Sequence, residues 1–231
     1  MIIIVMKNDE NYAKEVIRMR INKAIKRTHP RWYVKETKNG LIVRGSVNNC
    51  HKGETVIPET VVALELNCSN TKKERSIVIL PKTLKSLKVN EYNNTMSSIE
   101  KYEYKNGYYI GTRENKYEWF IGVVDPYASV ELHYACKHIA YNALNAFENI
   151  NVEKNNKIPQ VILNEKVKLE YGTIFRIIKY IKFNSYENGM YIGTPKNPYK
   201  WLIDTVNGEY EIKKINPRCK IISNDRIKIA N

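Results

Sequence analysis

His133, Cys136 and His138 fall within the six residues HYACKH, the densest set of metal-ligand types in the chain. A closed zinc site takes four such ligands at workable spacing. The chain supplies its own test: Cys136-Lys137 recurs as Cys219-Lys220, 83 residues on, and the positions matching the two histidines hold no His. The cysteine therefore reads as a small buried filler and the histidines as incidental, so no metal and no cofactor is expected. For acid–base work the carboxylates Asp204, Glu209 and Glu211 cluster, whereas the matching region offers only Asp125 and Glu131. Such a pair works in a shielded pocket, which no pattern here announces. P-loop, nucleophile-elbow and glycine-fingerprint patterns are absent, and VNGEYE and ENGMY are turn signals. These residues point to a protein that is not an enzyme.

Stacking on nucleic-acid bases is the next chemistry to weigh, because GYYIGTRENKYEWFI (Gly107 to Ile121) is dense in Tyr and Trp. A near copy, GMYIGTPKNPYKWLI, runs from Gly189 to Ile203, and the ungapped match extends over 18 positions at an offset of 82. Tyr109/Tyr191, Tyr117/Tyr199, Trp119/Trp201 and the glycines 107/189 and 111/193 are identical. Residues kept in both copies read as packing elements of a repeated hairpin, with the glycines supplying positive φ at strand ends. Contacts specific to a partner then fall on the turn residues that differ. These are Arg113, Glu114 and Lys116 in the first copy, and Pro195, Lys196 and Pro198 in the second.

Charge sets the class of partner. The net charge is +14 over 231 residues, which admits nucleic acid, an anionic membrane or an acidic protein. The surplus lies at the two ends: residues 1–45 hold eleven Lys and Arg against four Asp and Glu, and residues 156–231 hold fourteen against seven. Residues 46–155 are nearly neutral, with thirteen of each. Only ten of the basic residues are Arg, the side chain whose planar fork suits phosphate, which tempers the nucleic-acid reading. The candidate partner-binding residues are Arg18, Arg20, Lys23, Arg27 and Arg31 at one end and Lys213, Lys214, Arg218 and Lys220 at the other, joined by Arg113, Lys116 and Lys196. The expected partner is a protein, acidic itself or part of a nucleic-acid-handling complex, with direct nucleic-acid binding as the alternative.

These residues must be positioned by elements that the pattern outlines. Residues 1–45 read as a terminal cap: a strand IIIVM, then an amphipathic helix from about Asn11 to Arg27, with Tyr12, Val16, Ile17, Ile21, Ala24 and Ile25 on one face. His29-Pro30 ends it. From residue 46 onward, short β-branched runs alternate with turns. Ile57-Pro58 and Leu80-Pro81 recur 23 residues apart, each followed by a further apolar stretch, a period that marks a solenoid. Hairpin modules lie at 104–124 and 186–206, each followed by a tail strand carrying Cys-Lys. The expected fold is α+β and β-rich. The four cysteines are scattered, as free thiols in a reducing compartment would be. The longest apolar run, Ile2 to Met6, is too short to span a bilayer, and no signal-peptide pattern precedes it. A soluble protein in the cytoplasm of the producing or host cell is expected.

The combination VIPETVVAL, VILPKTLKSL, the Ala-Phe of NALNAF, and YIGTPKNPYKWLI followed by RCKIIS resembles the BspA-like leucine-rich repeat family over roughly residues 46–231. The resemblance implies a leucine-rich-repeat-like solenoid with two inserted hairpin modules and no shared catalytic centre. IPQVILNEKVKLEYGTIF (Ile158 to Phe175) fits that pattern loosely. Family members are often large surface proteins used in adhesion; a short chain fits better as a stand-alone docking protein. One concrete form is an inhibitor of a host enzyme carried by a phage or other mobile element.

Overall fold

Alternating apolar residues in LIVRGS, VVALELNC and SLKVNE set three strands side by side with one face inward. The computed structural model describes residues 16, 19–25, 32–46, 53–68, 76–91, 99–149, 159–169, 171–208 and 211–229. It divides into two compact units, Met1–Lys101 with Ile110–Glu114, and Tyr102–Tyr109 with Asn115–Asn231. Among the described residues it is β-rich, and the strands stack as turns of a β-solenoid.

In the first unit, β1 (Tyr33–Thr37) pairs antiparallel with β2 (Gly40–Ser46), which runs parallel to β4 (Val61–Cys68) and then β6 (Ser86–Glu91). The return side is also strand: β3 (Gly53–Val56) lies parallel to β5 (Ser76–Ile79). Register stacks like on like. Val43, Leu64 and Leu87 form one inward column, and Gly45, Leu66 and Val89 the next. Each aliphatic side chain buried in such a column stabilises by about 1.5–3 kcal/mol. Gly45 holds its place because a Cβ there would lie 2.3 Å from the buried Trp32 ring, which covers that column. Outward, Arg44, Glu65 and Lys88 form a ladder, with Arg44 Nε 3.0 Å and Lys88 Nζ 3.4 Å from the Glu65 carboxylate. Beside it Asn90 Nδ2 donates to Asn67 Oδ1 at 2.9 Å and to Glu65 Oε1 at 2.8 Å. Burial pushes the Glu65 carboxyl up, but the Asn90 amide and the Lys88 and Arg44 charges outweigh it and hold the group below the usual range.

The strand IIIVM lies outside the described residues. Of the amphipathic segment, residues 16 and 19–25 are helical, with Ile25 buried and Asn22 Nδ2 donating to Glu36 Oε1 at 2.5 Å. Residues 33–45, placed with the cap by sequence, are hydrogen-bonded into the β1–β2–β4–β6 sheet.

The second unit is built on the repeated module. Each copy is a four-stranded sheet. The first is ordered β11 (His138–Ile139), β9 (Trp119–Val123), β8 (Gly107–Ile110), β7 (Tyr102–Tyr104), with Ile110 itself counted in the first unit. The second is ordered β13 (Phe183–Tyr186), β14 (Gly189–Ile192), β15 (Trp201–Thr205), β17 (Ile221–Ile222). The hairpin read from sequence is thus preceded by one more strand, turned back through Lys105-Asn106. Both residues have positive φ, 39° and 66°, as a two-residue turn between twisted strands requires. Asn106 tolerates this because its side chain bonds locally: Nδ2 donates to the Asp125 and Ala128 carbonyls, and Oδ1 accepts from Asp125 N–H.

The glycines act differently from the sequence expectation. Positive φ falls on Lys105, Asn106 and Glu187, and Gly107 and Gly189 are not among the positive-φ residues. They provide room instead, since a Cβ would come 2.8 Å from the Tyr109 ring and 2.6 Å from the Tyr191 ring. At Gly193 a Cβ would meet the Asn197 carbonyl at 1.9 Å.

Between the modules, residues 159–169 form a further turn, which sequence matched only loosely. β10 (Val130–Glu131) pairs parallel with β12 (Val161–Ile162), as β16 (Glu211–Ile212) does with β18 (Lys228–Ile229). A 3-10 helix, Asn145–Asn149, buries Phe147 against Tyr180, and a helix spans Tyr171–Ile177.

One corner design serves both units. An amide donates to the carbonyl three residues back at Val61/Pro58, Leu84/Pro81, Cys136/His133, Cys219/Asn216 and Ile227/Asn224, at 2.9 to 3.3 Å. Pro58 and Pro81 supply the accepting carbonyl at the first position, and Asn216 and Asn224 at the same position add a side-chain acceptor for the amide two residues on.

Candidate functional site

Two of the modules' tails can be compared residue by residue. In the first, Asn115 Nδ2 donates to the Ala135 carbonyl at 2.7 Å, and Tyr109 Oη accepts the His133 amide at 3.1 Å. In the second, Asn197 Nδ2 donates to the Arg218 carbonyl at 2.8 Å, and Tyr191 Oη accepts the Asn216 amide at 3.1 Å. Burial raises the pKa of both phenols, which stay protonated and fixed. The frame is the same in both copies, so differences in charge on it stand out.

The main difference concerns the Lys of Cys-Lys. In the first copy Lys137 Nζ lies 3.0 Å from Glu118 Oε1, a buried carboxylate that also accepts from Asn115 at 2.8 Å. Position 118 becomes Lys200 in the second copy, and Lys200 turns to Glu165 at 3.4 Å. Lys220, the counterpart of Lys137, is left exposed and without a carboxylate among the described residues. Lys213, Lys214, Arg218, Arg226 and Lys228 are likewise exposed with no ion pair among the described residues. Residues 211–229 thus carry six Lys and Arg against Glu211 and Asp225. Glu211 stands beside Lys228 across the β16–β18 pair without closing on it.

Apolar exposure coincides with this charge. Ile221, Ile222 and Ile229 are 45, 42 and 45% exposed, whereas Ile139, the counterpart of Ile222, is 8% exposed. The segment IISNDRIKI (221–229) also parallels VILNEKVKL (161–169), in which Val161, Leu163 and Leu169 are buried. Sequence reasoning named Lys213, Lys214, Arg218 and Lys220 but missed Arg226, Lys228 and the isoleucines; the parallel between these two segments was the signal for them.

Arg18, Arg27 and Arg31 lie outside the described residues; Arg20 and Lys23 are exposed on the helical segment. Arg113 pairs with Glu54 at 3.2 Å, its neighbour Glu114 with Lys82 at 2.8 Å. Lys116 sits 4.9 Å over the Tyr102 ring, and Lys196 is exposed in its turn. Arg113, Glu114, Glu59 and Lys82 rim a shallow groove of about 300 Å³ floored by Val56, Ile57, Ile79 and Leu80. Its charges are spent on one another. In the first unit's outward ladder Arg44 and Lys88 are similarly matched by Glu65.

The HYACKH side chains each have another role. His133 is buried, accepts the Ala135 amide on Nδ1 at 3.1 Å, and stacks on Tyr117 at 3.8 Å and 14°. Its place in the corner is that of Asn216, whose Oδ1 accepts the Arg218 amide at 2.9 Å. His138 stacks on Trp119 at 4.5 Å. Burial lowers the pKa of both imidazoles and pushes the Cys136 thiol up to about 12. Cys136 and Cys219 are free thiols. Among the described residues no three His, Cys, Asp or Glu side chains are grouped as metal ligands would be.

Tyr109, Trp119, Tyr191 and Trp201 are at most 3% exposed, so these rings pack the modules and present no face to a base. Among the described residues no helix is long and apolar enough to cross a membrane. Comparison of the chain with protein-family models, with curated proteins and with solved structures finds no match.

Proposed function

We propose that this chain is a non-enzymatic binding scaffold that docks an acidic protein on its C-terminal turn, residues 211–229. The observation that carries the reading is the loss of the Glu118 partner at position 200, which leaves Lys220 unpaired on a frame where Lys137 is paired. Uncompensated charge beside exposed isoleucines is what a surface completed by a partner presents, with apolar area for affinity and charge for register and encounter. A leucine-rich-repeat relative, as the Ile-Pro corners and hairpin modules suggest, would use its scaffold in the same way. Blocking a host enzyme, as a phage-borne inhibitor would, is one form of this activity.

Direct nucleic-acid binding is the weaker reading, because the apolar residues interleaved with these cations are isoleucines rather than stacking aromatics. Capture from a nuclease-treated lysate of the producing cell separates the two. The wild-type chain is expected to retain a protein that the triple variant Lys213→Glu, Lys214→Glu, Lys220→Glu does not, with unchanged circular dichroism. Equal capture by both chains, or capture that nuclease abolishes, would contradict the proposal.

A further inference from the structure

We propose that the first module carries a site of its own, separate from the C-terminal turn, for single-stranded nucleic acid: a row of rings ending in Tyr134 and Tyr102 takes the bases, and Lys116 and Lys166 take the phosphates. Tyr134 is 69% exposed, and its ring lies 4.3 Å from that of His133. His133 stacks on Tyr117 at 3.8 Å, and Tyr117 stands 6.0 Å from Tyr102. Tyr104 meets His133 edge-on at 4.7 Å. Tyr102, Tyr104 and Tyr117 are half-buried, and the whole row lies in the second unit. Alternation along β7 sets Tyr102 and Tyr104 on one face and Glu103 on the other.

The second module folds without this row. It keeps Tyr186, Tyr191 and Tyr199, which meet edge-on at 5.7 to 6.5 Å. At the positions of Tyr102, His133 and Tyr134 it holds Asn184, Asn216 and Pro217. Lys105 and Lys116 are likewise replaced, by Glu187 and Pro198. The added rings and these cations are thus present together in one copy and absent together from the other, while the tyrosine-to-amide bond of the frame is 3.1 Å in both.

Charge and shape select the ligand. Lys166 Nζ lies 5.9 Å over the Tyr134 ring, Lys116 Nζ 4.9 Å over Tyr102 and Lys105 Nζ 5.4 Å over Tyr104. Lys105 is paired with Glu131 at 2.6 Å, whereas Lys116 and Lys166 have no ion pair among the described residues. Both are exposed on long flexible stems, so each can yield its ring to an incoming base and meet the flanking phosphate. A cationic ligand is repelled here, and a neutral sugar leaves both ammonium groups unused. Planar rings joined by phosphates use rings and cations together. Single strands fit and duplexes do not, because a duplex keeps its bases stacked on one another. This is the aromatic interleaving that the C-terminal turn lacks.

The test follows the anisotropy of a short fluorescein-labelled oligothymidylate at low salt. Saturable binding by the wild-type chain is expected, about tenfold or more tighter than for a duplex of the same length. Tyr134→Ala should weaken it by about tenfold, whereas Tyr134→Phe, which keeps the ring, should bind as the wild type does. Both variants are expected to keep the wild-type circular dichroism, since the side chain is exposed and the second copy has Pro217 there. The double variant Lys116→Gln, Lys166→Gln should make the log–log salt dependence shallower by about 1.4, two single-strand phosphate contacts at about 0.7 each. The triple Lys→Glu variant of the C-terminal turn should keep the dependence on Tyr134. Absence of wild-type binding, equal affinity for the duplex, or undiminished binding by Tyr134→Ala would overturn the proposal and leave protein docking intact. Adenosine monophosphate bound as tightly as the oligonucleotide would overturn the strand reading in favour of a nucleotide site.

Discussion

His133 occupies a corner position where the second module uses Asn216, and the two residues can be exchanged to test that equivalence. In both, a side-chain acceptor receives the amide two residues on, at 3.1 Å from Nδ1 and 2.9 Å from Oδ1. His133→Ala removes the acceptor, leaving the Ala135 amide unpaired, and also the stack on Tyr117. An unpaired part-buried donor costs about 1–3 kcal/mol and an aromatic pair about 0.5–1.5 kcal/mol, so the Ala variant should lose about 2–4 kcal/mol. His133→Asn restores the acceptor and should lose only about 1 kcal/mol, the stacking contribution. Acid adds a second signature. Burial among Tyr104, Tyr109, Tyr117 and Tyr134 holds the folded imidazole pKa below its unfolded value, with no carboxylate offsetting it. Between the two values the unfolded chain binds more protons, so stability is complete above about pH 6.5 and falls as pH drops through the folded pKa. Asn cannot titrate, so His133→Asn should flatten this loss, leaving the smaller slope from His138, which burial also depresses. Amide hydrogen exchange across residues 130–140 at pH 7.5 and 5.5 reads both effects locally. Equal protection loss in the Asn and Ala variants, or an undiminished pH dependence in the Asn variant, would refute the corner equivalence.

Other outcomes follow from the same geometry. Tyr191→Phe and Tyr109→Phe each leave a buried amide, of Asn216 and His133, without its acceptor, and should cost about 1–3 kcal/mol in denaturant unfolding, alike in both copies. Gly193→Ala drives a Cβ into the Asn197 carbonyl, which is backbone and cannot yield, so a loss of at least about 2 kcal/mol is expected, or no soluble protein. Glu65→Gln breaks the Arg44 and Lys88 pairs on a partly exposed face and should cost under about 1 kcal/mol, less in high salt, by the same assay.

The repeat was legible because identity at an offset needs no structure to see: the hairpin copies and the Ile-Pro corners emerged from spacing alone. The corner rule was not, since Pro58, His133 and Asn216 fill one role by different chemistry, and only the shared amide-to-carbonyl bond joins them. The turn at 159–169 was hidden for the same reason. Glycine roles were misassigned because room for a tyrosine ring and freedom of φ leave the same residue in the sequence. The basic residues of the C-terminal turn could be named from charge, but their lack of partners could not, because Lys137 and Lys220 look alike until position 118 is compared with position 200. Exposure of Ile221 and Ile222 depends on what stacks against them, a non-local property.

The most direct test of the docking surface is a photo-crosslinking residue at position 220, with position 35 on the β1 face as control, activated in the producing cell. Crosslinks from position 220 to a protein whose contacting peptide is acidic, and none from position 35, are predicted. Crosslinks to nucleic acid, or to protein from position 35 alone, would contradict the account.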